Sequence, residues 1–227
     1  MDGEHYREVV QEAEALAKTV MGRWDSSHDA FHAFRVRDLA LSLASEECVP
    51  ALTLQIVELT TLLHDIDDHK YVARQNEEHE TAEQFLVRCN VPAAMICSIT
   101  SIIHNMGFKE ELTGVFSLDQ HTMEFKIVQD ADRLDAIGAI GIARCFTFGG
   151  SRNHTIHDPS VQPRVNLTKD DYVKQDGKNT ALNHFYEKLL NLKHLMKTEA
   201  GRRRAEGRHK FMEAFLMEFH GEWEGKL

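Results

Sequence analysis

Histidine followed directly by aspartate occurs three times in this 227-residue chain, at His28, His64 and His157. An imidazole beside a carboxylate can bind a metal ion, orient a substrate or move a proton. With 14 histidines present, chance alone supplies roughly one such pair, so the setting has to separate them. His28-Asp29 precedes an apolar segment, where the aspartate reads as a helix cap. His157-Asp158 lies in a polar stretch before Pro159. His64-Asp65 follows Leu52, Ile56, Leu59 and Leu63, whose spacing of four, three and four draws a narrow apolar stripe. That pair puts charge at the end of a core helix. Asp132 is a second oddity, a carboxylate among Phe125, Val128, Leu134 and Ile137 that needs a partner if buried. So many histidines exceed what surface decoration explains, and some are expected to bind metal or phosphate.

The elements that would carry these residues read as helices. The four prolines (Pro50, Pro92, Pro159, Pro163) are separated by long segments with apolar residues at three- and four-residue spacing, and no strand-period segment is long enough to build a sheet. Helices are expected over about Asp29–Glu47, from Ala51 to the His64-Asp65 pair, around Glu77–Arg88, over Pro92–Asn105 with Pro92 at the first helical position, and from Met123 through Asp135. A glycine-rich stretch, Gly138 to Gly150, leads into the longest polar tract, Ser151 to Asn179, a candidate loop or lid. Helical patterning resumes from about Thr180 to the end. The chain is therefore expected to be all-α, one domain over 1–227 with a helical core at about 25–148, a polar loop or lid at about 149–179 and C-terminal helices at about 180–227.

Composition narrows the function. A formal charge of −10 repels nucleic acid, and the one basic cluster, Arg202 to Arg204, reads as a solvated helix face beside Glu199 and Glu206. No apolar run approaches the roughly eighteen residues of a membrane span, and Met1 to Trp24 carries no export or organelle signal. A soluble, cytoplasmic protein is expected, contacting neither nucleic acid nor membrane. Cys48, Cys89, Cys97 and Cys145 stand singly in apolar surroundings and read as reduced core residues. The Asn153 and Asn166 sequons are discounted as chance matches.

Three segments carry a resemblance. HDAFHAFRVRDLA from His28, LTTLLHDIDDHK from Leu59 and VQDADRLDAIGAIGIARCF from Val128 resemble the HD-domain metal-dependent phosphohydrolase superfamily. NHFYEKLLNLKHLMKTEAGRRRAEGRHKF from Asn183 resembles its bacterial YpgQ/YedJ-type branch. The resemblance covers most of the chain. It implies that His32, in its HxxRV setting, His64, Asp65 and Asp132 hold one divalent metal ion. Two imidazoles and two carboxylates suit Mn, Co, Ni or Fe, with Mg also considered and Mn favoured, and leave positions for water. Such an ion lowers the pKa of bound water and neutralises phosphoryl charge.

The implied reaction is hydrolysis of a phosphorylated small molecule, foremost a deoxynucleoside triphosphate to monophosphate and pyrophosphate. His64 and Asp65 would serve catalysis as well as the metal. Asp68 could orient or deprotonate the water if the helix continues past Asp65, with Asp67 its competitor. The resemblance also makes Arg144, His184 and Lys188 candidate substrate contacts, with Lys109 and Lys70 behind them. Arg133 and Asp135 are expected to brace Asp132, His79 and His104 to cap helices or face solvent, and Gly149-Gly150 to form a turn. The alternatives are a nucleoside monophosphate phosphatase or phosphodiesterase, a di-iron oxygenase using His79 and His104, and a metal-binding regulatory module. A homodimer is compatible with the C-terminal helices.

Overall fold

The computed structural model describes residues 1–22, 24–67, 80–108, 121–164 and 179–227. Asp68, Lys70, His79 and Lys109 lie outside them, as does most of the expected lid. Among the described residues the chain is all-α: α1 (Gly3–Met21), α2 (Ala30–Glu46), α3 (Ala51–Leu63), α4 (Ala82–Arg88), α5 (Ala93–Asn105), α6 (Met123–Asp135), α7 (Gly138–Ser151), α8 (Asn183–Glu187), a 3-10 helix over Leu189–Leu195, and α9 (Glu199–Trp223). The sole β interaction among them is an isolated parallel bridge between Thr155 and Thr180. No described helix is long and apolar enough to cross a membrane.

Local chemistry sets the helix starts. Asp29 accepts from the His32 amide at 3.1 Å and opens α2, while Thr81 and Gln84 form a reciprocal capping box at α4. Pro50 and Pro92 sit one residue before α3 and α5, as N-caps. The α2 face that carries Val36, Ala40 and Leu43 is wholly buried, as are Leu59, Leu62 and Leu63 of α3. α2, α3 and α6 pack against one another, and the resulting core runs from Val9 in α1 to Leu216 in α9. Leu52, the first residue of the expected α3 stripe, is instead exposed.

Four other expectations are corrected. Helix α7 runs on through Gly149-Gly150, which form its last turn rather than a loop turn; an added Cβ at Gly149 would stand 3.0 Å from that of Ala181. Cys48 and Cys97 are exposed, leaving Cys89 buried and Cys145 partly so, and all four are free thiols. The arginine cluster on α9 is solvated at Arg202 and Arg203 but also makes a docking contact: Arg203 and Arg204 pair with Glu46 of α2, and Arg204 donates to Ser42 at 2.6 Å. C-terminal patterning is broken into α8, the 3-10 turn and α9 because backbone amides at Lys197 and Thr198 leave the helix to meet Asp130.

That last contact fixes α9 against α6. The Asp130 carboxylate accepts from the Lys197 amide at 2.9 Å and from the Thr198 amide and hydroxyl, both at 2.7 Å. The Thr198 hydroxyl in turn caps Gly201. A Cβ at Gly201 would overlap Asp130 Oδ2 and lie 2.7 Å from Thr198 Oγ1. Gly201→Ala should therefore destabilise the protein by about 2–3 kcal/mol, against the roughly 1 kcal/mol that alanine gains in helix propensity. Denaturant unfolding reads this directly; an unchanged or raised midpoint would contradict it.

Candidate metal centre

Three helices bring four side chains to one point. His32 comes from the first turn of α2, His64 and Asp65 from the turn directly after α3, and Asp132 from α6. His32 Nε2 lies 3.3 Å from Asp65 Oδ2 and 3.5 Å from Asp132 Oδ1. His64 Nε2 lies 3.4 Å from Asp65 Oδ2 and 3.9 Å from Asp132 Oδ1. Donor atoms of His32, His64 and Asp132 all fall within 4.8 Å of one another, a group that could hold a metal ion.

Hydrogen bonds fix which nitrogen of each ring faces inward. His64 Nδ1 is 2.8 Å from the Thr61 carbonyl and must donate to it, which leaves Nε2 as a lone pair. That nitrogen is buried and has no hydrogen bond, a cost of about 1–3 kcal/mol unless something coordinates it. His32 Nδ1 donates to Asp135 Oδ2 at 2.8 Å, so its Nε2 faces Asp65 and Asp132. Two inward lone pairs beside two carboxylates fit a divalent cation. Burial alone would raise Asp65, but His64 and His32 hold it well below the usual carboxylate range. His32 is opposed by burial and Arg144, yet Asp135 and Asp65 leave its pKa raised.

The bracing around this centre differs from expectation. Asp135 orients His32 rather than Asp132, because three residues along α6 carry it one turn onward to the back of the His32 ring. Arg35 grips the same carboxylate with two bonds, Nε at 2.9 Å and Nη2 at 3.0 Å. Burial would raise Asp135, but His32 and Arg35 hold it far below its ordinary value. Arg133 is buried and donates to the Leu195 carbonyl at 2.8 Å, so it anchors the C-terminal segment and does not brace Asp132; burial pulls its guanidinium down to about 9. Arg35 is the arginine of the HxxRV setting, but its role on Asp135 is not legible from that motif. Nor is the line Asp25–Ser27–His28, in which the Ser27 hydroxyl donates to Asp25 and meets His28 Nδ1 at 2.7 Å.

The remaining candidates divide. α3 ends at Leu63 and His64 to Asp67 form a turn, so the helical continuation that would aim Asp68 is not present through Asp67. Asp67 accepts from the Ala82 amide at 3.0 Å and caps α4. His104 is exposed and turned back on the Thr100 carbonyl of its own helix at 2.7 Å. Arg144 donates from Nε to the Ser27 carbonyl at 2.7 Å and from Nη1 to Asp135 at 3.1 Å.

His184 lies near Lys188, His154 and Arg164, and Lys188 Nζ stands 5.2 Å from the Phe108 ring centroid, while a separate set of ring contacts leads outward from the centre. The His28 ring meets His32 at 5.9 Å and Phe148 at 5.8 Å, and Phe148 meets His154 at 6.4 Å. Burial first, then Lys188, His154 and Arg164, push His184 down to about 3. A histidine that stays neutral when folded disfavours folding once the unfolded ring, with pKa about 6.5, takes up its proton. His184→Gln should therefore lose less stability than the parent chain as pH falls from 6.5 towards 4. Parallel acid-unfolding curves would contradict this.

No family model matches the chain. YpgQ of Bacillus subtilis is 34% identical over 200 residues, covering 88% of this chain and 86% of YpgQ. Its crystal structure in complex with ADP matches with a TM-score of 0.73 at 28% identity over 96% of both chains. A Lactobacillus plantarum protein matches at 0.81 with 33% identity over 99% of both chains. A Bacillus thuringiensis HD-superfamily hydrolase matches at 0.68 with 35% identity, over 96% of this chain and 98% of its own.

Proposed function

Since the chain belongs to the HD superfamily of hydrolases, alongside YpgQ, we propose that it is a one-metal phosphohydrolase that converts deoxynucleoside triphosphates to monophosphates and pyrophosphate. The observation that carries this reading is the buried, unbonded Nε2 of His64, aimed where His32, Asp65 and Asp132 also converge. In this reading His32, His64, Asp65 and Asp132 hold the ion, with Mn preferred. A divalent ion bound there supplies charge for phosphoryl oxygens and lowers the pKa of water.

The chain's own groups supply the rest. Asp135 and the Thr61 carbonyl keep both imidazoles in the inward-facing tautomer. Asp68 takes the proton of the attacking water, since Asp67 is engaged in capping α4. His184, Lys188 and Lys109 receive the phosphates, joined by the remaining nitrogen of Arg144. The ADP complex of the Bacillus subtilis relative supports a nucleotide as ligand. We read the whole chain as one domain, because the core from Val9 to Leu216 is continuous. The cytoplasm is the proposed setting, and a homodimer remains compatible.

The experiment is a panel of nucleoside mono-, di- and triphosphates with Mn, Co, Ni and Mg, resolved by chromatography and phosphate assay. Deoxynucleoside triphosphate should give monophosphate and pyrophosphate. Release of orthophosphate from monophosphates would replace this reading with a phosphatase, and no turnover with any metal would replace it with a binding module.

A further inference from the structure

We propose that Arg144 is a positioning residue that ties the loop of residues 24–28 to the metal centre through one guanidinium. Nη1 donates to Asp135 Oδ2 at 3.1 Å, the same oxygen that accepts from His32 Nδ1 at 2.8 Å. Nε donates to the Ser27 carbonyl at 2.7 Å. Ser27 is fully buried, and its single hydroxyl proton goes to Asp25, so at 2.7 Å it must accept from His28 Nδ1. Each end of the guanidinium thus leads to an imidazole: through Asp135 to His32, and through Ser27 to His28. The two rings stand edge to face at 5.9 Å.

Only arginine reaches both partners, because its donors lie at fixed angles in one plane, whereas a lysine ammonium is a point charge on a flexible stem. Arg35 already pairs with both oxygens of Asp135, Nε with Oδ1 at 2.9 Å and Nη2 with Oδ2 at 3.0 Å. The charge of Asp135 is therefore compensated without Arg144, and what Arg144 adds is a further donor at Oδ2 and a fixed distance between loop and centre. A residue that served phosphate alone would not have two of its donor positions committed to protein acceptors.

The expected effect on metal rests on the reading of His32 as a ligand. The test therefore uses two measurements on nucleotide-free protein. Mn titration by calorimetry should show that Arg144→Ala binds about tenfold more weakly. Imidazole 15N–1H spectra of the metal-free protein should show His28 and His32 shifting together in Arg144→Ala. Arg144→Lys, whose ammonium keeps a donor to Asp135 Oδ2 but cannot reach the Ser27 carbonyl at the same time, should restore His32 and Mn affinity while leaving His28 displaced. This second variant also decides the matter if the alanine form does not fold. Unchanged Mn affinity and unchanged rings, with only nucleotide KM raised, would overturn the proposal and make Arg144 a phosphate ligand alone. If the parent chain binds no divalent metal, the ligand reading of the centre fails, and the coupled or uncoupled ring shifts still decide the role of Arg144.

Discussion

His64→Ala should lose nucleotide hydrolysis by on the order of 10³-fold or more, which is about 4 kcal/mol of transition-state stabilisation, while the protein still folds. Both halves follow from one atom. The inward Nε2 of His64 is buried without a hydrogen bond, so no donor replaces the water it loses on folding. Alanine leaves a cavity where the ring stood, yet it also removes an unsatisfied nitrogen whose burial costs about 1–3 kcal/mol. The two changes act in opposite directions on metal-free stability. Calorimetric unfolding beside a turnover assay, with and without added Mn, separates them. Full activity in the variant would end the metal-centre reading. Loss of folding would show that the ring is mainly a core residue.

The second large effect belongs to Asp135, which touches no candidate phosphate contact other than Arg144. Asp135→Ala removes the acceptor of His32 Nδ1 and of two guanidinium groups at once. Breaking a buried ion pair from one side costs about 3–5 kcal/mol, and losing the partner that orients a ligand costs about 10–100-fold in metal affinity. The carboxylate is held below its unfolded pKa of about 3.9. Its contribution is therefore complete above that pH and is lost as pH falls towards the depressed folded value. Asp135→Asn should consequently show a flatter acid limb in its unfolding profile than the parent chain. An asparagine variant with full stability, an unchanged acid limb and unchanged Mn affinity would contradict this account.

The helices, the His64-Asp65 pair and the oddity of Asp132 depend on local regularities, whereas His32 and the joining of all four into one centre come from the superfamily resemblance. A stripe spaced by three and four residues announces α3, and a polar pair at its end is conspicuous against that stripe. The same regularities mislead where a tertiary contact decides the outcome. Asp135 stands three residues from Asp132 and was expected to serve it, but the residue behind His32 is chosen by how α2 crosses α6, which no spacing within α6 reveals. Arg202 to Arg204 read as a solvated face because the sequence does not place Glu46 opposite Arg203 and Arg204. Gly149-Gly150 reads as a turn on intrinsic propensity, and packing overrides it, with Gly149 close against Ala181. The Asp25–Ser27–His28 line carries no motif, since a serine between two polar residues is ordinary in a loop.

The hydrogen bond between His32 and Asp135 joins residues 103 positions apart. On a chain emerging from the ribosome, α1 to α3 exist for many seconds before α6 is made, at about 5–20 residues per second. During that interval His32 and His64 have no Asp132 or Asp135 to meet. The centre therefore cannot seed folding; it closes only after a long-range docking step of the kind that sets slow rates. Whatever it binds arrives as a latch on a nearly finished molecule, stabilising the folded state by mass action rather than guiding the chain towards it.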